Sequence, residues 1–134
     1  MPPLADQPVS IIGGGLAGCE AAWQLLRRGI PVRLYEMRPK RFSPAHRSEG
    51  LAELVCSNSL RAGAVENAPG LLKEEMRSLD SLILAAADKT AIPAGRALAV
   101  DRSAFSRCVE ERLLSFGTDI TIIRQEVVTL PRER

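Results

Sequence analysis

The sequence predicts an α/β fold built on a parallel sheet, and three observations predict it. A short aliphatic segment at residues 9–12 runs directly into the glycine-rich turn Gly13-Gly14-Gly15-Leu16-Ala17-Gly18. A helix with one apolar stripe follows the turn. A second aliphatic segment, residues 32–36, then closes on Glu36. Strand, glycine turn, helix, tight turn and strand is the order of a βαβ unit, whose crossover helix leaves the two strands parallel.

Each element has its own signal. Val9, Ile11 and Ile12 mark a buried strand. Leu16, Cys19, Ala22, Trp23 and Leu26 then recur at helical spacing, while Glu20, Gln24, Arg27 and Arg28 fall largely elsewhere. Arg27 and Arg28 suit the negative end of the helix dipole, and Gly29 suits the left-handed stop beyond it. Residues 37–69 are broken repeatedly by Pro39, Pro44, Gly50, Gly63 and Pro69. They predict a long functional loop above the sheet, with a short helix near 50–55.

A helix is predicted over 71–87, with Leu72, Met76, Leu79, Ile83 and Ala86 on one face. Lys73, Glu74, Glu75, Arg77 and Asp80 occupy much of the other. A short strand at 97–100 precedes a helix capped by Asp101 or Ser103 and ended by Gly117. Phe105, Val109, Arg112 and Leu113 are spaced down that helix. Strand signals at 120–124 and 126–130 follow. No internal repeat or low-complexity tract interrupts the pattern.

Composition narrows the function classes. With 134 residues there is room for one domain, and 46% hydrophobic against 25% charged residues is globular. The formal charge of +2 is too small a bias to imply nucleic-acid binding by itself. No apolar run approaches the roughly 18 residues of a membrane span, and the apolar start lacks a basic flank, so no membrane segment and no signal peptide are expected. Cys19, Cys56 and Cys108 are far apart and fit neither zinc spacing nor a secreted disulfide pattern. No metal site is expected, and a reducing cytoplasm is. Only three parallel strands can be counted, at 9–12, 32–36 and 120–124, where an open doubly wound sheet has about five or six. The chain is therefore expected to be a truncated piece, residues 1–134 forming the amino-terminal portion of a larger domain.

The glycine turn carries the chemistry. Gly13 permits the tight turn out of the strand, Gly15 lets the backbone approach a diphosphate, and Gly18 lets helix and strand pack closely. Phosphates placed there face unpaired amides at a helix start, where the dipole favours negative charge. Glu36 lies where a carboxylate accepts hydrogen bonds from a ribose diol, and its charge disfavours a 2′-phosphate. Glycine spacing alone does not separate FAD from NAD. The large excursion after the second strand favours the flavin, which needs more cover.

Three further places are candidates. Arg38, Lys40, Arg41 and Arg47, with His46 among them and no acid between 38 and 47, form a basic run. It is suited to a diphosphate, a folate tail or RNA phosphates, or is simply a solvated loop. Cys56 is followed by Ser57, Asn58 and Ser59, so it is either a reactive thiol or a packed one beside Leu54 and Val55. Cys19 and Cys108 lie on apolar helix faces and read as packing residues. Arg102 is placed to reach phosphates or a flavin edge, and Val127 or Val128 to meet an adenine ring through the backbone.

These residues carry a family resemblance. The runs Gly-Leu-Ala-Gly-Cys-Glu-Ala-Ala-Trp-Gln-Leu (residues 15–25), Arg-Leu-Tyr-Glu-Met-Arg-Pro (33–39) and Ala-Glu-Leu-Val-Cys-Ser-Asn-Ser-Leu-Arg (52–61) closely resemble the folate- and FAD-dependent tRNA uracil-5-methyltransferases, the TrmFO family. The likeness continues through 70–77, 85–88, 93–95 and 97–102, and the Cys56 loop is its most specific part. The resemblance implies a Rossmann-like FAD-binding domain of the glutathione-reductase type. It also implies formation of 5-methyluridine in the T-loop of tRNA, with methylenetetrahydrofolate as one-carbon donor and NAD(P)H as reductant. Gly13, Gly14, Gly15, Leu16, Ala17, Gly18, Glu36, Met37, Arg38, Arg102 and Val128 would bind the cofactor, and Cys56 would be catalytic.

That chemistry needs a thiol and a flavin together. Carbon 5 of uracil becomes nucleophilic once a thiolate adds at carbon 6, and a hydride from reduced flavin completes the methyl group. Whether Cys56 attacks the pyrimidine or handles the one-carbon unit stays open at this point. The competing readings are a GidA-type flavoprotein acting on wobble uridines, a generic NAD- or FAD-linked oxidoreductase, and an inactive FAD/NAD-binding fragment.

Overall fold

The computed structural model describes residues 7–130. In chain order these form β1 (Val9–Ile12), α1 (Leu16–Leu26), β2 (Val32–Glu36), β3 (Ser59–Ala62), α2 (Ala68–Ser78), α3 (Leu82–Lys89), β4 (Ala91–Ile92), β5 (Ala97–Val100), α4 (Arg102–Leu114) and β6 (Ile120–Arg124). A short 3-10 turn (Gly117–Asp119) leads into β6.

The predicted parallel sheet is present, in the order β1-β2-β6, with Val9 opposite Val32 and Val32 opposite Ile120. Gly29 ends the α1 crossover with φ +72°. That left-handed conformation suits glycine because it has no Cβ to clash. The α/β class read from the sequence is borne out.

The second crossover, from β2 to β6, is where the sequence reading needs correction. It carries an antiparallel sheet, β3-β5-β4, as well as three helices. The strand at residues 97–100 exists but belongs to this sheet, paired with β3 from inside the stretch read as loop. The helix expected near 50–55 is a turn followed by irregular chain. Residues 126–130 form no strand.

The helix predicted over 71–87 is two helices, broken at residues 79–81. Asp80 takes φ +56°, and the Ser81 hydroxyl then caps α3 by accepting from the Leu84 amide at 3.2 Å. The break is held from α1. Glu20 accepts from the Ser81 hydroxyl at 2.8 Å and from the Ile83 amide at 3.1 Å. Trp23 donates its indole N–H to the Asp80 carbonyl at 2.9 Å. A carboxylate against a helix start is favoured by the dipole as well as by the hydrogen bonds.

The break also rotates α2 relative to the predicted face. Leu72 and Leu79 are 56% and 70% exposed, whereas Lys73 is buried, with Nζ donating to the Ala62 and Pro69 carbonyls. The core gathers Cys19, Ala22 and Leu26 of α1, Val32 and Leu34 of β2, most of α3, and Phe105, Val109 and Leu113 of α4. Leu51 and Ala52, from the loop, are fully buried in it. The middle of the loop is therefore packed into the core, while residues 39–49 stay largely exposed.

Candidate dinucleotide cleft

The glycine turn leaves β1 with Gly13 at φ +104°, its amide donating to the Tyr35 carbonyl at 2.8 Å. A Cβ on Gly18 would collide with the Gly13 carbonyl oxygen, so close packing of α1 on the turn requires glycine there. A Cβ on Gly15 would meet nothing within 4 Å. Gly15 is thus not needed for packing, and the space beside it is open to a ligand. No side chain caps α1 and no acidic residue lies in its first turn, which includes Leu16, Ala17 and Gly18. Its positive end is left to whatever anion occupies the cleft.

Glu36 closes the site from β2. Its Oε2 accepts from the Gly14 amide at 2.9 Å, so the carboxylate and the glycine turn are in direct contact. A cleft of about 310 Å³ lies alongside, walled by Gly13, Gly15, Glu36, Met37, His46 and Val127 among others. The open Gly15 face, the uncapped helix start and the adjoining carboxylate fit the diphosphate and ribose of a dinucleotide.

Arg38 differs from its sequence reading. The basic run suggested a cation facing a ligand, but Arg38 is 1% exposed and spent on protein partners. Its Nε donates to Glu36 Oε1 at 2.8 Å, and Nη1 donates to Glu53 Oε2 at 2.7 Å. Glu36 also accepts from the Arg38 amide at 3.0 Å and from Nη2 at 3.2 Å. Burial alone would raise the Glu36 carboxyl, but the Arg38 hydrogen bonds and charge, with the Gly14 amide, hold it down at about 2. The carboxylate stays ionised, and both oxygens already hold donors. The longest of these contacts is the one from Nη2, at 3.2 Å.

Of the rest of the basic run, Arg41 has an acidic side-chain partner, and Arg47 meets one through its backbone amide. Arg41 pairs with Glu126 at 2.7 Å, and Glu53 accepts the Arg47 and Ser48 amides at 2.9 and 3.1 Å. Burial would raise Glu53, but these amides and Arg38 lower it. His46 Nδ1 lies 2.6 Å from the Ser43 hydroxyl, and among the described residues no cluster of metal-ligating side chains occurs.

Val128 is 83% exposed, and it is its neighbour Val127 that lines the cleft. Arg102 lines a different cavity, of about 600 Å³, between the loop at 48–54 and α4. Cys56 is exposed. Its loop is pinned two residues later, where Asn58 Nδ2 donates to the Val100 carbonyl at 3.1 Å and the Asn58 carbonyl accepts the Val100 amide at 2.9 Å. Val100 precedes Asp101 and Arg102, so the Cys56 loop is anchored where α4 begins. Asp101 caps that helix, accepting from the Ala104 amide at 2.8 Å.

Cys19 and Cys108 are buried. Burial pushes the Cys19 thiol up to about 12, which removes its nucleophilic form at neutral pH.

Sequence reasoning missed three groups. Leu51 fills the space beside Gly14, and the Ala52 amide donates to the Gly14 carbonyl at 2.8 Å. Arg124 ends β6 and donates to the Glu49 carbonyl at 2.7 Å and to Glu110 at 3.0 Å, tying the loop to α4. Glu53 is the third. Its only advance signal was an acid just beyond the basic run.

Comparison with known proteins adds to this geometry. A family model described as glucose inhibited division protein A matches residues 8–134. A protein of Syntrophus aciditrophicus (strain SB) is 64% identical over 128 residues, 96% of this chain and 29% of its own. A second, of Pelotomaculum thermopropionicum, is 62% identical over the same shares. Both are named methylenetetrahydrofolate--tRNA-(uracil-5-)-methyltransferase TrmFO. The chain thus spans less than a third of the length of these relatives. Among solved structures, a peptidyl tryptophan dihydroxylase, QhpG, superposes with TM-score 0.53 at 20% identity, over 96% of this chain and 27% of its own. That likeness concerns the fold alone.

Proposed function

The chain belongs to the glucose inhibited division protein A family, and from that premise we propose that it is the amino-terminal, FAD-holding part of a tRNA uracil-5-methyltransferase. Residues 1–134 form the first portion of the FAD-binding domain, and the stretch at 37–69 is its functional loop. The names of relatives at 62–64% identity support this reading. The observation that carries the cofactor is the Gly14 amide on Glu36 at 2.9 Å beside an uncapped helix start.

In this reading the amides of the first turn of α1 hold the diphosphate, Glu36 holds the ribose diol, and Val127 and Met37 wall the cleft. A flavin held there and reduced by NAD(P)H would supply the hydride that turns a methylene unit from methylenetetrahydrofolate into methyl. Cys56 supplies the reactive thiol, its loop held on one side by the Leu54 side chain in the core and on the other by Asn58. The nucleic-acid substrate is the T-loop of tRNA, and the compartment is the cytoplasm. Among the described residues no helix is long and apolar enough to cross a membrane.

Replacing Cys56 with Ala tests the reading. In the intact protein, Cys56→Ala is expected to retain FAD, read from its visible absorption, and to lose at least about a hundredfold in 5-methyluridine formation, the scale set by removing a nucleophile. Full methylation by Cys56→Ala would overturn the role of the thiol. Wild-type protein that takes up no flavin would overturn the cofactor. The family match also leaves a second reading, wobble-uridine modification, which nucleoside analysis of the product tRNA separates from T-loop methylation.

A further inference from the structure

We propose that Arg38 is a positioning residue whose buried guanidinium couples the dinucleotide cleft to the loop that carries Cys56. The proposal rests on the reading of that cleft given above. Glu36 faces the cleft and Glu53 does not, yet one side chain grips both, through Nε at 2.8 Å and Nη1 at 2.7 Å. Glu53 in turn accepts the Arg47 and Ser48 amides and stands three residues before Cys56. Two further contacts make the loop and the turn one unit, Ala52 N–H to the Gly14 carbonyl and Leu51 against Gly14.

The coupling has a definite direction. A ribose hydroxyl that donates to Glu36 displaces the Nη2 contact, the longest of those Glu36 accepts, at 3.2 Å. The guanidinium then has less hold on Glu36 and more on Glu53, which seats the segment leading to Cys56. Conversely, without the Glu53 charge the guanidinium has Glu36 as its sole counter-ion and competes harder with the ribose. Because linkage is reciprocal, a change at either end is felt at the other.

The test uses ADP, which carries the ribose and diphosphate but no flavin ring that could itself cover Cys56. In the intact protein freed of FAD, ADP affinity is measured by calorimetry and Cys56 alkylation by iodoacetamide is timed with and without saturating ADP. Wild type is expected to bind ADP and to show slower alkylation when ADP is bound. Glu53→Gln is expected to weaken ADP binding by about fivefold or more, the lower end of ordinary coupling, although residue 53 lies outside the cleft. It should also abolish the effect of ADP on the alkylation rate.

Arg38→Ala leaves the buried Glu36 carboxylate and the part-buried Glu53 carboxylate without their shared counter-ion and is prone to unfold, so Arg38→Lys serves as the second variant. It keeps the charge but cannot bridge both carboxylates with the fork, so it should abolish the effect of ADP on the alkylation rate. A folded Glu53→Gln protein with wild-type ADP affinity, or a wild-type alkylation rate indifferent to bound ADP, overturns the coupling. Wild type that binds neither ADP nor FAD overturns the cleft reading itself, and the coupling falls with it.

Discussion

Gly15 and Gly18 stand three residues apart and are glycine for opposite reasons. Gly18 abuts a backbone carbonyl that cannot move aside, whereas Gly15 faces empty space with φ −77°, which any residue adopts. Gly18→Ala is therefore expected to destabilise the fold by about 3 kcal/mol, the top of the range for overpacking. Gly15→Ala should leave the denaturation midpoint nearly unchanged while FAD affinity falls. Urea unfolding together with a flavin titration separates the two, and equal effects on stability would contradict the assignment. The glycine spacing was legible in the sequence, because a turn, a close contact and an approach to ligand each need a missing Cβ at a fixed offset. The fate of Arg38 was not legible, because its second partner, Glu53, is 15 residues away and is brought to it only by the folded loop.

At the scale of elements, the α2–α3 break shows a contact from outside overriding a local pattern. Apolar spacing over 71–87 suits one continuous helix, yet Ser81 caps a new one and Glu20 reaches across from α1 to hold its first amides. Ser81→Ala should cost about 1 kcal/mol and Glu20→Ala about 1–2 kcal/mol, the scale of a lost cap with its charge. Since both act on the same helix end, the double variant should fall short of the sum, and a double-mutant cycle by chemical denaturation measures the shortfall. The strand at β3 carries little local signal for a related reason. Four residues with Arg61 in the left-handed region carry little periodicity, and the strand exists through its pairing with β5.

Across the whole molecule, the Glu36–Arg38–Glu53 bridge joins the parallel sheet to the loop, and Arg124 joins the loop to α4. Both carboxyls are held below their ordinary value, Glu36 falling from 4.5 to about 2. A depressed carboxyl stabilises the folded state fully above its unfolded value, and that contribution is lost as pH falls through the folded value. Stability should accordingly decline on acidification between about pH 5 and pH 2, in the window set by these shifts. Glu36→Gln should start from lower stability and show a shallower decline in thermal melts across that window. A variant as steeply acid-sensitive as wild type would place the titrating group elsewhere.

The sequence by itself determined the βαβ unit, the glycine turn, Glu36 at the end of β2 and a helix cap at Asp101 or Ser103, of which the structure uses Asp101. All of these depend on neighbours within a turn of helix or on fixed spacing along one strand. The tertiary structure alone decided the antiparallel sheet inside the crossover, the break before α3, the burial of Arg38 and Lys73, and the fastening of the Cys56 loop to β5. In each of those cases a deciding partner lies beyond helix or strand spacing, from the Ala62 carbonyl eleven residues from Lys73 to the Glu20 carboxylate 61 from Ser81, and the free energy of a buried charge or an unpaired amide is settled only when the folded backbone brings that partner within hydrogen-bond reach.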